Sequence, residues 1–274
     1  MSSVSDNSRS IAAVILAAGK GTRMQSDLPK VMHEVADRPM VHWVVDAVRN
    51  GGLDAAPIVL VVGYQRECVE DSFAERPEWL EFAVQAEQLG TGPAIDMAAP
   101  IFADAAVRSS TDVFVLCGDG PLIRTETLDA LLQRHRSTGA AATLATARLK
   151  DPDGYGRIQR NDAGGFDRIV EQKDATDEQR SISEINPSYY VFRADALFDR
   201  LSRLKNDNAS GEYYITDVFQ LLQDDGLAVE VIDSVDPGDV LSINDPAQLA
   251  VVDSIMRNRL RHSAGTEVPQ EGTA

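Results

Sequence analysis

The segment at residues 14–30 could bind the phosphates of a nucleoside triphosphate. Its residues with little or no side chain are Ala17, Ala18, Gly19 and Gly21, and its cations are Lys20, Arg23 and Lys30. Small residues let backbone N–H groups approach phosphate oxygens closely, and the cations add positive charge. Because the segment starts with an apolar run, we expect a phosphate-binding loop at the end of a strand.

Two better-known phosphate loops do not fit this segment. A Walker loop requires the order G-x-x-x-x-G-K-[ST], and the dinucleotide fingerprint requires G-x-G-x-x-G. The residue three after Gly21 is Met24, and neither Gly-Lys-Ser nor Gly-Lys-Thr occurs in the chain. ATPase and dehydrogenase functions built on these loops are therefore excluded. A glycine-rich turn with solvated cations is the alternative, and the cations together with Pro29 favour the phosphate loop.

The composition is that of an ordinary globular protein with an excess of acidic residues. The chain has 274 residues, of which 43% are hydrophobic and 25% charged, enough for a substantial core in one large domain. Its formal charge of −17 argues against nucleic acid or an anionic membrane as a partner. Residues 16–33 carry the three cations against one acid, Asp27. The loop is thus a positive island, as an anionic substrate would need.

The chain shows no signal for a membrane or for secretion. No apolar stretch approaches the roughly 20 residues that cross a bilayer, and residues 1–10 lack the charged-then-apolar order of a signal peptide. Cys68 and Cys117 are too far apart for a CxxC motif, and two lone thiols suit a reducing compartment. We expect a cytoplasmic protein in which both cysteines are packing residues.

Strands alternate with helices in the first half of the chain. The expected strands are 12–16, 58–62, 82–85 and 113–116, and the expected helices begin at Pro39, at Pro93 and at a capping Thr125. This alternation indicates a parallel sheet, whose ligands bind beyond the carboxyl ends of the strands. The loops expected at that edge are 17–30, 86–92 and 117–122.

Beyond residue 150 the pattern is richer in β structure, and we expect a second, smaller lobe. The expected elements are a hairpin over 157–170, a β-rich run at 188–193, a helix over 212–222, strands at 229–232 and 240–243, and a helix from Pro246 to about Arg261. The expected divisions are a nucleotide-binding part at about 11–150, the lobe at about 151–235, a closing strand and helix at 236–262, and disordered tails at 1–10 and 263–274.

Several separated motifs together resemble the uridylyltransferase domain of the bacterial N-acetylglucosamine-1-phosphate uridylyltransferases, over nearly the whole chain. The glycine-rich loop marks only the wider nucleotidyltransferase superfamily, whereas QAEQLGTG at 85–92 and GEYYITD at 211–217 are more specific. The other matching segments are SDLPKV at 26–31, GD at 118–119, GYGRI at 154–158, the run 171–180 and EIN at 184–186.

The resemblance implies an α/β, Rossmann-like nucleotidyltransferase fold, with a mixed, mostly parallel sheet flanked by helices and a smaller β-rich sugar-binding lobe. It implies uridylyl transfer from UTP to N-acetylglucosamine 1-phosphate, giving UDP-N-acetylglucosamine and pyrophosphate, with Mg²⁺ as cofactor. By motif position, the residues for the triphosphate are Leu16, Ala17, Ala18, Gly19 and Lys30. Those for uracil are Gln85, Gly90 and Thr91, and those for the ribose and metal region are Cys117, Gly118 and Asp119. Those for the acetylated sugar are Gly156, Glu171 and Asn186, and the Mg²⁺ ligands are Asp119 and Asn244.

The residue types fit phosphoryl transfer without a general base. A sugar phosphate is already mostly a dianion at neutral pH, because its second ionisation lies at about pH 6. The site must then bring two polyanions together and stabilise charge, and the candidate catalytic residues are Arg23, Lys30 and Asp119. Mg²⁺ accepts oxygen ligands such as those of Asp119 and Asn244, although either residue could instead cap a turn or a helix.

Local departures from the family pattern leave the acceptor open. Cys117 and Gly120 interrupt the usual Tyr-Gly-Asp-Val-Pro order, and Pro187 and Ser188 replace the usual Thr-Gly beside the sugar. The alternatives are an enzyme with another sugar or base, a non-catalytic nucleotide-sugar-binding protein, and a metal-dependent glycosyltransferase. The four intact residues that favour an enzyme are Arg23, Lys30, Asp119 and Asn244.

Family members typically continue into a left-handed β-helix that acetylates glucosamine 1-phosphate and forms a trimer. This sequence ends after the segment that resembles the connecting helix. We therefore expect no acetyltransferase activity, and a monomer or weak oligomer instead of an obligate trimer.

Overall fold

A ten-stranded mixed sheet forms the centre of the molecule in a computed structural model that describes residues 9–50, 52–73, 75–233 and 235–264. Its strands are β1 (Ser10–Ala17), β4 (Ile58–Val62), β5 (Leu80–Val84), β6 (Thr111–Cys117), β7 (Ala142–Arg148), β8 (Gly156–Arg160), β9 (Phe166–Val170), β10 (Glu184–Asn186), β11 (Tyr190–Arg193) and β12 (Val229–Asp233). A separate two-stranded ribbon pairs β2 (Glu34–Val35) with β3 (Arg38–Pro39).

Helices cover both faces of this sheet. They are α1 (Met40–Arg49), α2 (Arg66–Asp71), α3 (Thr91–Asp96), α4 (Ala105–Ser109), α5 (Thr125–Thr138), α6 (Asp177–Arg180), α7 (Ala194–Leu201), α8 (Asp217–Asp224) and α9 (Pro246–Ala264). Short 3-10 helices occur at Thr22–Met24, Lys30–Met32 and Ala99–Phe102. The predicted α/β class, with a mixed sheet flanked by helices, is confirmed. Among the residues given above, no helix is long and apolar enough to span a membrane.

The strand order is β5-β4-β1-β6-β11-β7-β10-β8-β9, with β12 beside β7. The first four strands are parallel, and β11 runs antiparallel to both of its neighbours. Leu16 of β1 pairs with Val61 of β4 on one side and with Cys117 of β6 on the other. The carboxyl ends of these strands therefore meet at one edge, as predicted, although β5 begins at Leu80, two residues before the expected start.

Strand β1 shows why the sheet needs helices on both faces. Its residues alternate between two apolar layers, Ala13 and Ile15 in one and Ala12 and Val14 in the other. The first layer includes residues of α1, α5 and α9, and the second includes residues of α3, α7 and α8. Both layers are buried, so a strand between them must be apolar throughout.

Three local predictions are wrong. Thr125 does not cap α5: Arg124 occupies the N-cap position, and the Thr125 hydroxyl instead donates to the carbonyl of Ala47 at 3.0 Å. The helix predicted over 212–222 begins only at Asp217, because the backbone of residues 213–215 bonds to another loop. Residues 240–243 form no strand.

Other boundaries can be compared with the predictions. The hairpin is present as antiparallel β8 and β9, and β10 joins it to β7, so these strands extend the same sheet. The description of residues 151–235 as a separate sugar-binding lobe stays a prediction. Residues 1–8 and 265–274 of the predicted tails lie outside the described residues. Ser10 already belongs to β1, and α9 continues to Ala264.

A buried carboxylate joins β6, α5 and the residue before β1 at the start of the parallel strands. This edge of the sheet lies opposite the loops at residues 17–30, 86–92 and 117–122. Asp112, fully buried near the start of β6, accepts hydrogen bonds from Arg9 Nε at 2.5 Å and Arg136 Nε at 2.8 Å. His135 Nε2 lies 3.7 Å from the same carboxylate. Burial opposes ionisation of Asp112, but His135, Arg136 and Arg9 outweigh it and lower the pKa from 3.8 to about 2.

We predict that Asp112→Asn lowers the free energy of unfolding at pH 7 by about 3 kcal/mol, because it removes the charge that compensates two mostly buried guanidinium groups. The depressed pKa contributes stability that is present above the unfolded-state value of 3.8 and is lost as the pH falls toward about 2. The variant should therefore lose less additional stability on acidification than the wild type. Urea denaturation at several pH values measures both effects.

Asp199→Asn is the matched control, since it breaks a pair between Arg108 and a 62% exposed carboxylate. Its effect should stay below about 0.5 kcal/mol. Equal destabilisation by the two substitutions would contradict the role assigned to Asp112.

Candidate active site

A cavity of about 290 Å³ lies at the carboxyl ends of β1, β5 and β6. Most residues predicted to bind the nucleotide line this cavity. They are Leu16, Ala18, Gly19, Lys30, Gln85, Gly90, Thr91, Cys117 and Asp119. All three loops expected at this edge contribute to its wall. Ala17 is buried in the apolar core, so only its backbone could contact a ligand.

Two cations and two oxygen ligands form a cluster beside this cavity. The Lys30 ammonium donates to Asp119 Oδ2 and, at 2.8 Å, to Asn244 Oδ1. Arg23 Nη2 donates to the same Asn244 oxygen at 3.0 Å. The structure therefore brings together the four residues that the sequence assigned to charge stabilisation and to the metal.

Asn244 reaches the cluster because the segment before α9 is tied to the loop after β6. The N–H of Ile243 donates to the Asp119 carbonyl at 3.0 Å. The N–H of Asn244 donates to Gln248 Oε1 at 2.7 Å, and its side-chain amide donates to Ser242 Oγ at 3.3 Å. These bonds leave Asn244 Oδ1 facing the two cations. Asp245, not Asn244, caps α9, since it accepts from the N–H of Gln248 at 2.8 Å.

Close approach of backbone segments explains two of the predicted glycines. Gly21 has φ +67°, and a Cβ at this residue would lie 2.6 Å from Lys30 Cβ. A Cβ at Gly118 would lie 2.9 Å from the Leu16 carbonyl oxygen. A larger residue at either position would displace the phosphate loop or the strand beside it. Both glycines thus act through the backbone, by letting Lys30 and Asp119 come together.

The loop predicted to bind uracil is joined to the segment before α8. Gly90 has φ +126°, and a Cβ there would lie 2.6 Å from the Tyr213 carbonyl oxygen. The N–H of Tyr213 donates to the Leu89 carbonyl at 3.0 Å, and the N–H of Ile215 donates to Thr91 Oγ1 at 2.9 Å. Gln85 Nε2 donates to the Gly90 carbonyl at 3.1 Å. The two most specific sequence motifs are therefore one structural unit.

The residues predicted to bind the sugar also lie together. Antiparallel pairing of β8 with β10 places Gly156 opposite Asn186, and a Cβ at Gly156 would lie 3.5 Å from Glu171 Oε2. Burial raises the pKa of Glu171, although a hydrogen bond from the Thr216 hydroxyl at 2.9 Å opposes the shift. The three residues therefore lie side by side around the Glu171 carboxyl group.

Cys117 has the chemistry of a packing residue. Burial and the neighbouring Asp119 raise the pKa of its thiol to about 12, so the sulfur is protonated at neutral pH and is a poor nucleophile. Across the described ranges, no group of three or more His, Cys, Asp or Glu side chains could hold a metal ion.

The departure at Ser188 has a structural explanation. Ser188 adopts φ +64°, in the left-handed region that glycine adopts most easily. The Asn186 side chain accepts the N–H of Ser188 at 3.1 Å, which supports this turn and lets serine stand where the family usually has glycine. The turn leaves Asn186 buried, with its side-chain amide donating to the Tyr190 hydroxyl at 2.6 Å.

Sequence reasoning missed three residues that complete the site. Glu212 and Gln88 line the cavity, and Thr216 bonds to Glu171. All three lie within the quoted motifs or beside residues chosen from them. Residue type alone assigns no role to Gln88 or Thr216, because each acts through a partner distant in sequence.

Comparisons with known proteins show which family this chain belongs to. The nucleotidyl transferase family matches residues 12–245. The bifunctional protein GlmU of Pelobacter propionicus is 48% identical over 250 residues, or 91% of this chain and 53% of the relative. The bifunctional protein GlmU of Geobacter metallireducens is 49% identical, over 91% of this chain and 51% of the relative. That of Bacillus cereus is 46% identical, over 90% of this chain and 52% of the relative. The chain thus spans about half the length of these relatives. Because the family match covers most of its residues, the chain belongs to the nucleotidyl transferase family.

Proposed function

We propose that this chain transfers a uridylyl group from UTP to N-acetylglucosamine 1-phosphate and releases pyrophosphate. The observation that carries the proposal is the convergence of Lys30 and Arg23 on the oxygens of Asp119 and Asn244, beside the cavity of the phosphate loop. Such a cluster suits a reaction between two polyanions. The family membership and the GlmU relatives support the same reaction.

The layout of the cavity suggests where each substrate binds. The phosphate loop and Lys30 would hold the triphosphate, and Gln85 with Thr91 would hold the base, since residues of both groups line the same cavity. The sugar would bind at Gly156, Glu171 and Asn186, because the pairing of β8 with β10 brings these three residues together. The carboxyl group of the half-buried Glu171 and the turn at Asn186 would bind sugar hydroxyls and the acetamido group.

In the proposed reaction, a phosphate oxygen of the sugar phosphate attacks the α-phosphorus of UTP. The new P–O bond forms as the bond from the α-phosphorus to the bridging oxygen of pyrophosphate breaks. No proton has to be removed, because the attacking phosphate is already a dianion at neutral pH. Arg23 offers a forked set of donors and Lys30 a compact charge, so both can stabilise the charge that moves onto pyrophosphate.

The donor set at Asp119 and Asn244 fits Mg²⁺. Their two oxygens converge on the Lys30 ammonium, and carboxylate and amide oxygens are ligands that Mg²⁺ prefers. Mg²⁺ held there would supply further positive charge to the phosphate oxygens of the substrates. We therefore propose Mg²⁺ as the cofactor.

A pyrophosphate-release assay tests the proposed function. We expect turnover with UTP, N-acetylglucosamine 1-phosphate and Mg²⁺ together, and loss of turnover when EDTA is added or any component is omitted. A panel of other nucleotides and sugar 1-phosphates should react at least about tenfold more slowly, the scale of losing one hydrogen bond of about 1.4 kcal/mol. Preference for another pair would reassign the substrates, and binding without turnover would indicate a non-catalytic protein.

We predict that Asp119→Ala lowers kcat by at least about 10²-fold, because it removes the carboxylate of the proposed metal site. The exposed Asp27, in the same positive segment, offers a matched control, and Asp27→Ala should keep near-normal kcat. Steady-state kinetics at saturating Mg²⁺, with circular dichroism as a check on folding, measure the effect. Near-normal kcat in a folded Asp119→Ala protein would remove this residue from the metal site.

We predict that Arg23→Ala slows the reaction by about 10²–10³-fold, the scale of losing one preorganised charge at a developing anion. Arg23→Lys should recover only part of this loss, because lysine cannot supply the forked donor set. Lys20→Ala is the control cation, since its ammonium lies 5.0 Å over the Tyr64 ring and donates to neither Asp119 nor Asn244. Single-turnover measurements isolate the chemical step, and equal rates in the Lys20 and Arg23 variants would reject the assigned role.

A further inference from the structure

We propose that Gln88 is a positioning residue that orients the phosphate loop for the donor triphosphate. Gln88 lies in the loop that would bind the base, between Gln85 and Gly90, and it also lines the cavity. Its amide nitrogen donates to the Ala18 carbonyl at 2.9 Å, across 70 positions in the sequence. This inference rests on the proposed function, because it assumes a nucleoside triphosphate in the cavity.

The Ala18 carbonyl is held by two donors at once. Besides Gln88, the N–H of Tyr64 donates to it at 3.2 Å. Two donors on one carbonyl oxygen use both of its lone pairs, so they define the direction in which this oxygen points. Of the two donors, only Gln88 uses its side chain. This bond connects the base loop, residues 86–92, to the phosphate loop, residues 17–30.

The direction of the Ala18 carbonyl determines that of the next N–H group. In a planar trans peptide, the C=O of Ala18 and the N–H of Gly19 belong to the same unit and point in opposite directions. With the oxygen held by Gln88 and Tyr64, the N–H of Gly19 points away from both donors. Gly19 lines the cavity, and a Cβ there would meet no atom within 4 Å, so this backbone is open to a ligand.

Rotation of this peptide would reverse the electrostatics of the loop. The N–H of Gly19 can donate to a phosphate oxygen, whereas the Ala18 carbonyl in its place would repel it. Without the Gln88 amide, the carbonyl keeps one donor, the N–H of Tyr64, and the peptide is less restrained. Gln88 thus favours the orientation that binds phosphate, and it does so from the loop that contacts the base.

Gln88→Leu tests this role, because leucine has a similar size but no donor. We predict that its affinity for UTP in the presence of Mg²⁺ falls about tenfold, the scale of one hydrogen bond, while its affinity for uridine is unchanged. Isothermal titration calorimetry with UTP and with uridine measures both. Gln133→Leu is the matched control, since this exposed glutamine on α5 also donates one hydrogen bond, to Asp129, and lies away from the cavity.

Gln88→Glu supplies a second measurement, the pH dependence of UTP affinity, which would not change if Gln88 only stabilised the fold. A carboxylate cannot donate to the Ala18 carbonyl, whereas a protonated carboxyl group can. At pH 8 this variant should bind UTP more weakly than Gln88→Leu. Its affinity relative to the wild type should begin to recover as the pH is lowered toward 5, where part of the glutamate side chains are protonated, while the ratio for Gln88→Leu stays constant.

The outcomes separate this inference from the proposed function. Equal UTP affinity in the wild type and in folded Gln88→Leu would overturn the positioning role alone. Equal losses for UTP and uridine would also overturn it, because the effect would then arise in the base loop. Failure of the wild type to bind UTP would overturn the proposed function, and the positioning role with it.

Discussion

A single shared ammonium group holds the site of this protein together. Lys30 donates to Asp119 and to Asn244, which lie 89 and 214 positions away in the sequence, and Arg23 adds a second donor to Asn244. Cations placed close together repel unless oxygens compensate them, and here a carboxylate and an amide do so. The cluster is built entirely from side chains of this chain, in a protein whose overall charge is strongly negative. Charges held in place by such bonds would need little reorganisation during the proposed phosphoryl transfer.

The rest of the site depends on close backbone contacts between the loops that meet at the carboxyl ends of the parallel strands. Gly21 lets the phosphate loop pack against Lys30, and Gly90 lets the base loop pack against Tyr213. Neither contact tolerates a Cβ without movement of backbone or of the Lys30 stem. The base loop therefore connects the phosphate loop, through Gln88, to the segment that reaches Glu171 through Thr216. A change in one loop is expected to reach all three binding regions.

Local pattern predicted most of the regular structure and failed where a distant partner decided the outcome. The strand at Ile58–Val62 matches its apolar run because both faces of the sheet are covered. Residues 212–216 have a helical pattern, yet their backbone bonds to residues 89–92 are available only in the folded protein. Thr125 has the type of a cap, but its hydroxyl finds the Ala47 carbonyl instead. Ser188 is left-handed because Asn186 supports its turn.

The amino-acid sequence by itself determined the class of fold, the glycine-rich loop after the first strand and the residue types that the proposed chemistry needs, because these follow from local composition and order. Tertiary structure decided which of these residues act together. The meeting of Lys30 with Asn244, the pairing of Gly156 with Asn186 and the reach of Gln88 to Ala18 depend on strand order and on loops that cross at one edge of the sheet. Hydrogen bonds between residues so far apart leave no periodic signal along the chain, so only the folded arrangement specifies them.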